Sequence, residues 1–153
     1  MGTQRIKFQK QLSGLALLLL AAPIIAGVDN SISKHQQSFE SAAMQIWDWN
    51  EVGYQETKSS GLLQNLLAEN NFSITTGVAG IPTAFIAEYG SKGPVIAIMG
   101  EFDALPGIIQ TKNPFRDVRE DAAAGHACGH HMFGAASAWA AVEIGRASCR
   151  ERV

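Results

Sequence analysis

Apolar residues recur at the three- and four-residue intervals of one helical face in two early stretches of the chain. The spacing predicts a helix over about 34–50 and a second over about 58–69. The first apolar stripe consists of Phe39, Ala43, Ile46 and Trp47. The second consists of Leu62, Leu63, Leu66 and Leu67. We interpret both stripes as surfaces that pack into the core.

The pattern then changes to short apolar runs separated by turn residues. Residues 72–76 and 83–88 have the length and composition of strands. The continuous apolar run 95–99 predicts a strand buried on both faces of a covered sheet. Residues 108–124 are polar and are expected to form a surface loop, and residues 133–142 to form a helix of small residues. This order of elements predicts an α/β protein.

The first 27 residues have the three parts of a secretory signal peptide. A basic start precedes an apolar run over 12–25, which ends in the small residues Ala26 and Gly27. We expect cleavage after one of these two residues and a periplasmic or secreted protein. A retained membrane anchor is the alternative, but the run is short for a span of about 20 residues and Pro23 interrupts it.

Composition narrows the classes of partner. The chain is 46% hydrophobic and 17% charged, which is typical of a globular protein. The net charge of −2 provides no basic surface, so nucleic acid and anionic membranes are not expected partners. The only cysteines are Cys128 and Cys149, and a disulfide framework is therefore a poor interpretation.

Residues 125–131 (GHACGHH) contain the candidate metal ligands. Thiolate and neutral imidazole are ligands that Zn²⁺ and similar ions prefer. In an extended segment His126, Cys128 and His130 would lie on one side, whereas in a helix Cys128 would point elsewhere. We therefore place Cys128 and His130 on a loop before a helix that starts near His131. The alternative is a buried free cysteine beside ordinary polar histidines.

Two acidic residues directly follow the predicted buried strand. Glu101 and Asp103 belong to the segment GEFDALPG, at the end of a strand where α/β sheets commonly hold catalytic groups. The alternative is that both carboxylates only solvate the exposed end of the strand.

Four segments together resemble one family in order and spacing. They are residues 51–59 (EVGYQETKS), 80–85 (GIPTAF), 100–107 (GEFDALPG) and 125–130 (GHACGH). The family is that of the dinuclear-metal amidohydrolases and peptidases, which includes aminoacylase, glutamate carboxypeptidase and the auxin-conjugate hydrolases. The most similar branch is that of the p-aminobenzoyl-glutamate hydrolases and related dipeptidases.

The resemblance implies a zinc-peptidase-like catalytic domain, with a central mixed sheet flanked by helices, of which residues 28–143 are the N-terminal portion. It implies two divalent metal ions, Mn²⁺ or Zn²⁺, with Cys128 as the bridging ligand and His130 as a second ligand. Asp103 matches the aspartate that orients a ligating histidine in relatives with a His-x-Asp motif, and is the catalytic candidate. Glu101 stands at the histidine position of that motif, and the roles of His126 and His131 stay open.

The implied reaction is hydrolysis of an amide bond in a dipeptide or acyl-amino-acid conjugate, by a homodimeric full-length protein. The family's general base lies in a Glu-Glu pair, and this sequence contains no such pair. Residues 144–153 resemble a translated sequencing adapter and are expected to be a non-native tail. We therefore expect the chain by itself to be inactive. The alternative function is a small exported module that binds metal or a partner without catalysis.

Overall fold

The structure is a computed structural model that describes residue 30 and residues 32–150, with side chains described as far as residue 146. The chain divides into two compact units, residues 1–35 and 36–153. The first unit is described only at residues 30 and 32–35, which are helical. The predicted signal peptide and its cleavage site lie outside the described residues.

The described elements are three helices, four short strands and one 3₁₀ turn. Helix α1 covers residues 32–49. The remaining elements are α2 (Thr57–Glu69), β1 (Ser73–Thr76), the 3₁₀ turn Val78–Gly80, β2 (Phe85–Glu88), β3 (Leu105–Pro106), β4 (Ala124–Gly125) and α3 (His130–Arg150). The two early helices and the first two strands are thus confirmed within two residues. The third helix extends beyond the predicted 133–142 at both ends, and residues 144–150 continue it.

The core forms where the three helices meet, as the predicted apolar stripes require. Its buried members are Phe39, Ile46, Leu63, Leu67, Ala138 and Val142. The rings of Phe39 and Trp139 stack with their centroids 6.0 Å apart, which joins α1 to α3. Leu63 and Leu67 lie one turn apart on α2, so their side chains cover one continuous face of that helix. The interpretation of both stripes as core surfaces is confirmed.

Strands β1 and β2 form an antiparallel pair, with Ser73 opposite Glu88 and Thr76 opposite Phe85. A buried hydrogen-bond network attaches this pair to the start of α2. The Thr83 hydroxyl donates to the Glu56 carboxylate over 2.6 Å, and the Ser60 hydroxyl donates to the Thr83 carbonyl, also over 2.6 Å. These polar side chains are buried, and each hydroxyl has a partner.

Strands β3 and β4 form a second antiparallel pair, with Leu105 opposite Gly125. An isolated parallel bridge between Val52 and Ala104 attaches the segment before β3 to the loop after α1. The predicted α/β class is confirmed, because the described residues combine helices with two small antiparallel sheets. This second pair matters for the site, because it brings residues 101–105 close to residues 125–130.

The prediction of a buried strand over 95–99 is wrong. The structure assigns no strand to these residues, and Val95 and Met99 are 95% and 77% exposed. An apolar run becomes a buried strand only where neighbouring strands bond its backbone and other elements cover both faces. No described segment pairs with 95–99 as a strand.

Within the described residues, no helix has the length and apolar character needed to cross a membrane.

Candidate metal centre

The His130 side chain lies between two carboxylates at the start of α3. Its Nδ1 is 2.8 Å from Oδ1 of Asp103, and its Nε2 is 3.0 Å from Oε2 of Glu101. The possible ligand atoms of the three side chains all lie within 4.8 Å of one another. We call Glu101, Asp103 and His130 the carboxylate–histidine group.

The hydrogen bonding of this group is suited to a cation. A neutral imidazole carries one N–H, so an Nδ1–H that donates to Asp103 leaves a lone pair on Nε2. That lone pair then faces a carboxylate oxygen at 3.0 Å, and the two repel unless a proton or a metal ion is shared between them. Two ligands on one tetrahedral ion with bonds of about 2.1 Å are about 3.4 Å apart, which is close to this separation. The donor set therefore fits Zn²⁺ or Mn²⁺.

Close packing against α3 holds the acidic segment in place. A Cβ added at Gly134 would lie 2.8 Å from the Glu101 carbonyl oxygen and 3.0 Å from Cβ of Phe102. The Ser137 hydroxyl donates a 2.8 Å hydrogen bond to the Met99 carbonyl. The absence of a side chain at Gly134 thus lets residues 99–102 approach the first two turns of the helix that begins with His130.

A second set of contacts connects Asp103 to the start of α2. The Glu51 carboxylate accepts hydrogen bonds from the backbone N–H groups of Lys58 and Ser59, at 3.0 and 2.8 Å. A carboxylate beside the first turn of a helix accepts hydrogen bonds from backbone N–H groups that have no partner within the helix, and it interacts favourably with the helix dipole. The Glu51 carbonyl in turn accepts a 2.8 Å hydrogen bond from the Ala104 N–H, next to Asp103. The cap of α2 therefore also restrains the carboxylate–histidine group.

The side chains of the GHACGH segment do not share one side. The Gly129 N–H donates to the His126 carbonyl over 3.1 Å, and Gly129 has a positive φ of 77°. This turn interrupts the alternation that an extended segment would have. His126 enters the protein interior, Cys128 is an exposed free thiol, and His130 contacts the two carboxylates. His130 is also the first residue of α3, where we predicted a loop residue.

Of the predicted site residues, the structure brings Asp103 and His130 together. Cys128 is not a member of the carboxylate–histidine group, and its role as a metal ligand stays a prediction. Glu101 is a candidate ligand that sequence reasoning left out of the site. The available signal was its position two residues before Asp103, at the histidine position of the family motif.

His126 and His131 occupy an apolar environment next to Trp47. They are 3% and 7% exposed, and the His131 ring lies edge-on to the indole with centroids 4.9 Å apart. Burial lowers the pKa of His131 to about 4, with a smaller contribution from His126. Burial also lowers the pKa of His126, against the opposing effect of its hydrogen bond to the Ile46 carbonyl. Both rings are therefore neutral near neutral pH.

Two curated relatives cover part of the chain. Over 118 residues, 76% of the chain, it is 36% identical to one of the subunits of p-aminobenzoyl-glutamate hydrolase from Escherichia coli (strain K12). Over 82 residues, 52% of the chain, it is 37% identical to N-acetylcysteine deacetylase of Bacillus subtilis (strain 168). The predicted relationship to the amidohydrolase and peptidase family is confirmed by these similarities.

The matched regions are 24% and 21% of those two proteins, so the chain spans about a quarter of the length of the curated relatives it matches. No family model matches the chain.

Proposed function

We propose that a longer gene product containing this chain hydrolyses an amide bond in a dipeptide or acyl-amino-acid conjugate, using two divalent ions, Mn²⁺ or Zn²⁺. The observation that carries the proposal is the placement of His130 between Asp103 and Glu101. The names of the two relatives, a hydrolase and a deacetylase, support the reaction class.

Each residue of the carboxylate–histidine group has a separate task in this proposal. Asp103 accepts the Nδ1–H of His130, which fixes the ring orientation and keeps Nε2 free to bind an ion. His130 and Glu101 supply neighbouring nitrogen and oxygen ligands, and Cys128 supplies a thiolate. When bound, the ions would polarise the scissile carbonyl and lower the pKa of a water molecule.

We propose that the general base lies outside residues 1–153, because the resemblance implies a base in a Glu-Glu pair and these residues contain no two consecutive glutamates. A positioned general base typically contributes about 10²–10⁴-fold to the rate. We also propose export to the periplasm or the medium, and a homodimeric assembly for the longer protein.

The test begins with the genomic region beyond codon 143, followed by expression of the complete reading frame. Release of free amino acid from N-acetylated amino acids and dipeptides is measured with Mn²⁺ or Zn²⁺ supplied, and again with a chelator. We expect chelator-sensitive turnover. Asp103→Asn should reduce it about 10–100-fold, because partners that orient a ligand commonly have effects of this size. Glu120→Gln, which changes an exposed loop carboxylate, is the matched control.

Turnover that persists after complete metal removal would contradict the metal-dependent mechanism. The second candidate, an exported metal-binding module without catalysis, is favoured by a donor group assembled entirely within this chain. An in-frame stop near codon 153, together with metal binding and no turnover, would support that module against the enzyme.

A further inference from the structure

One face of α3 lies against the acidic segment that contains Glu101. His130, Gly134 and Ser137 follow one another at intervals of four and three residues, so they lie on the same side of the helix. His130 contacts the two carboxylates, and the missing side chain of Gly134 lets the Glu101 backbone approach. Ser137, two turns beyond His130, donates its hydroxyl to the Met99 carbonyl over 2.8 Å.

The contact between Ser137 and residues 99–100 is close. A Cβ added at Gly100 would lie 3.0 Å from Cβ of Ser137 and 3.4 Å from Cα of Gly134. Residues 95–99 belong to no described sheet, so no strand neighbour holds the Met99 carbonyl. The Ser137 hydroxyl therefore attaches the backbone just before Glu101 to α3.

The position of the Glu101 carboxylate depends on this attachment. Its Oε2 lies 3.0 Å from Nε2 of His130, although the Glu101 side chain is 55% exposed. An exposed side chain loses rotamer freedom when it is held in one place, and this loss opposes the contact. If the backbone at Met99 moved away from α3, the carboxylate would turn to water.

Asp103 is held by other contacts. The next residue, Ala104, donates its N–H to the Glu51 carbonyl over 2.8 Å and forms the parallel bridge with Val52. These contacts connect Asp103 to the loop after α1 and not to α3. Loss of the Ser137 hydroxyl should therefore release the Glu101 carboxylate and leave Asp103 in place.

The two ligand types of the group favour different ions. Carboxylate oxygen suits Mn²⁺, whereas imidazole nitrogen suits Zn²⁺. In the carboxylate–histidine group, Glu101 offers the oxygen and His130 the nitrogen. A change in the position of the Glu101 carboxylate should therefore affect Mn²⁺ more than Zn²⁺.

We propose that Ser137 is a positioning residue that holds Glu101 beside His130 and thereby raises the affinity of the site for Mn²⁺ relative to Zn²⁺. Ser137 acts through the backbone at Met99 and does not itself bind the ion. This role rests on the proposed function, because it requires the carboxylate–histidine group to bind a metal ion.

The experiment measures ion affinities of the metal-free chain, with no substrate present. Calorimetry gives the Zn²⁺ affinity, and electron paramagnetic resonance of unbound Mn²⁺ gives the Mn²⁺ affinity. We expect Ser137→Ala to weaken Mn²⁺ binding about tenfold, the lower end of the range for partners that orient a ligand, and to weaken Zn²⁺ binding by a smaller factor. Ser41→Ala, the same substitution at an exposed position of α1, is the matched control and should leave both affinities unchanged.

Two double variants separate positioning from a general loss of packing. In Glu101→Gln, the further substitution Ser137→Ala should cause no additional loss of Mn²⁺ affinity, because the carboxylate that it positions is already absent. In Asp103→Asn, Ser137→Ala should still weaken Mn²⁺ binding about tenfold, because the two residues are restrained independently. A general loss of packing would instead weaken both ions alike in each of these variants.

Equal losses of Mn²⁺ and Zn²⁺ affinity in Ser137→Ala, or the same tenfold loss in Glu101→Gln, would overturn the proposal. If Ser137→Ala does not fold, as judged by circular dichroism, Gly100→Ala provides the same test, because its added Cβ pushes the segment away from Ser137. No binding of either ion by the unmodified chain would overturn both the metal centre and the role of Ser137. A longer protein that binds both ions without chelator-sensitive turnover would overturn only the proposed hydrolysis.

Discussion

Replacing Gly134 by alanine tests whether close packing positions the carboxylate–histidine group. The new Cβ would lie 2.8 Å from the backbone oxygen of Glu101 and 3.0 Å from Cβ of Phe102. Neither neighbour is the flexible end of a long side chain, so the 101–102 backbone must move away from α3. That movement carries Glu101 and Asp103 away from His130.

The size of the effect follows from two opposing terms. Overpacking of this kind typically costs about 1–3 kcal/mol. Alanine is favoured over glycine within a helix by about 1 kcal/mol. We therefore expect a net destabilisation of about 1 kcal/mol. Gly61→Ala in α2 is the matched control, because no atom lies within 4 Å of the added Cβ. It should stabilise the protein by up to about 1 kcal/mol.

Urea denaturation followed by circular dichroism measures both variants, and Zn²⁺ titration measures the effect on the group. We expect a difference of about 2 kcal/mol between the two free energies of unfolding. We also expect weaker Zn²⁺ binding in Gly134→Ala only. Equal stabilisation by both substitutions, with unchanged Zn²⁺ affinity, would refute the packing argument.

Three further predictions concern other parts of the chain. The stability of the metal-free chain should fall as the pH drops from about 6.5 towards 4. The reason is that the unfolded chain protonates His131 near its ordinary pKa, whereas the folded chain protonates it only at about 4. Urea midpoints that do not change across this pH range would contradict this prediction. In the longer protein, Cys128→Ala should abolish binding of two ions. Cys128→Asp should reduce this binding less, since a carboxylate can also bridge two ions. Metal analysis that finds two ions in Cys128→Ala would show that the thiolate does not bridge. N-terminal sequencing after bacterial expression should find a mature start at Gly27 or Val28, and an intact Met1 on soluble cytoplasmic protein would be evidence against export.

Local periodicity predicts α1 and α2 to within two residues, whereas α3 is longer at both ends than its predicted range. The apolar stripes of α1 and α2 predict which face of each helix is buried. Ile46 and Leu63, one from each stripe, are almost fully inaccessible to solvent. Residues 95–99 show the limit of that approach. Whether an apolar run is buried depends on which segments pair with it, and that information is not contained in the run itself.

Sequence motifs predict those members of the candidate site whose residue types belong to a recognisable motif. Asp103 and His130, 27 residues apart, were both identified from sequence, and the structure brings them together. The separation of His126 from His130 was not predictable, because it depends on the positive φ at Gly129 and on burial beside Trp47. The contact of Glu101 with His130 depends on the close approach of residues 101–102 to Gly134, and motif spacing alone does not predict that approach.

Calorimetric titration of Zn²⁺ into the purified chain tests the claim that Glu101, Asp103 and His130 form part of a metal centre. We expect His130→Ala to remove measurable Zn²⁺ binding at this group. Asp103→Asn should weaken binding about 10–100-fold, because the imidazole loses the partner that orients it. Glu120→Gln should bind Zn²⁺ like the unmodified chain. Equal Zn²⁺ affinities for the unmodified chain and for His130→Ala would contradict the claim.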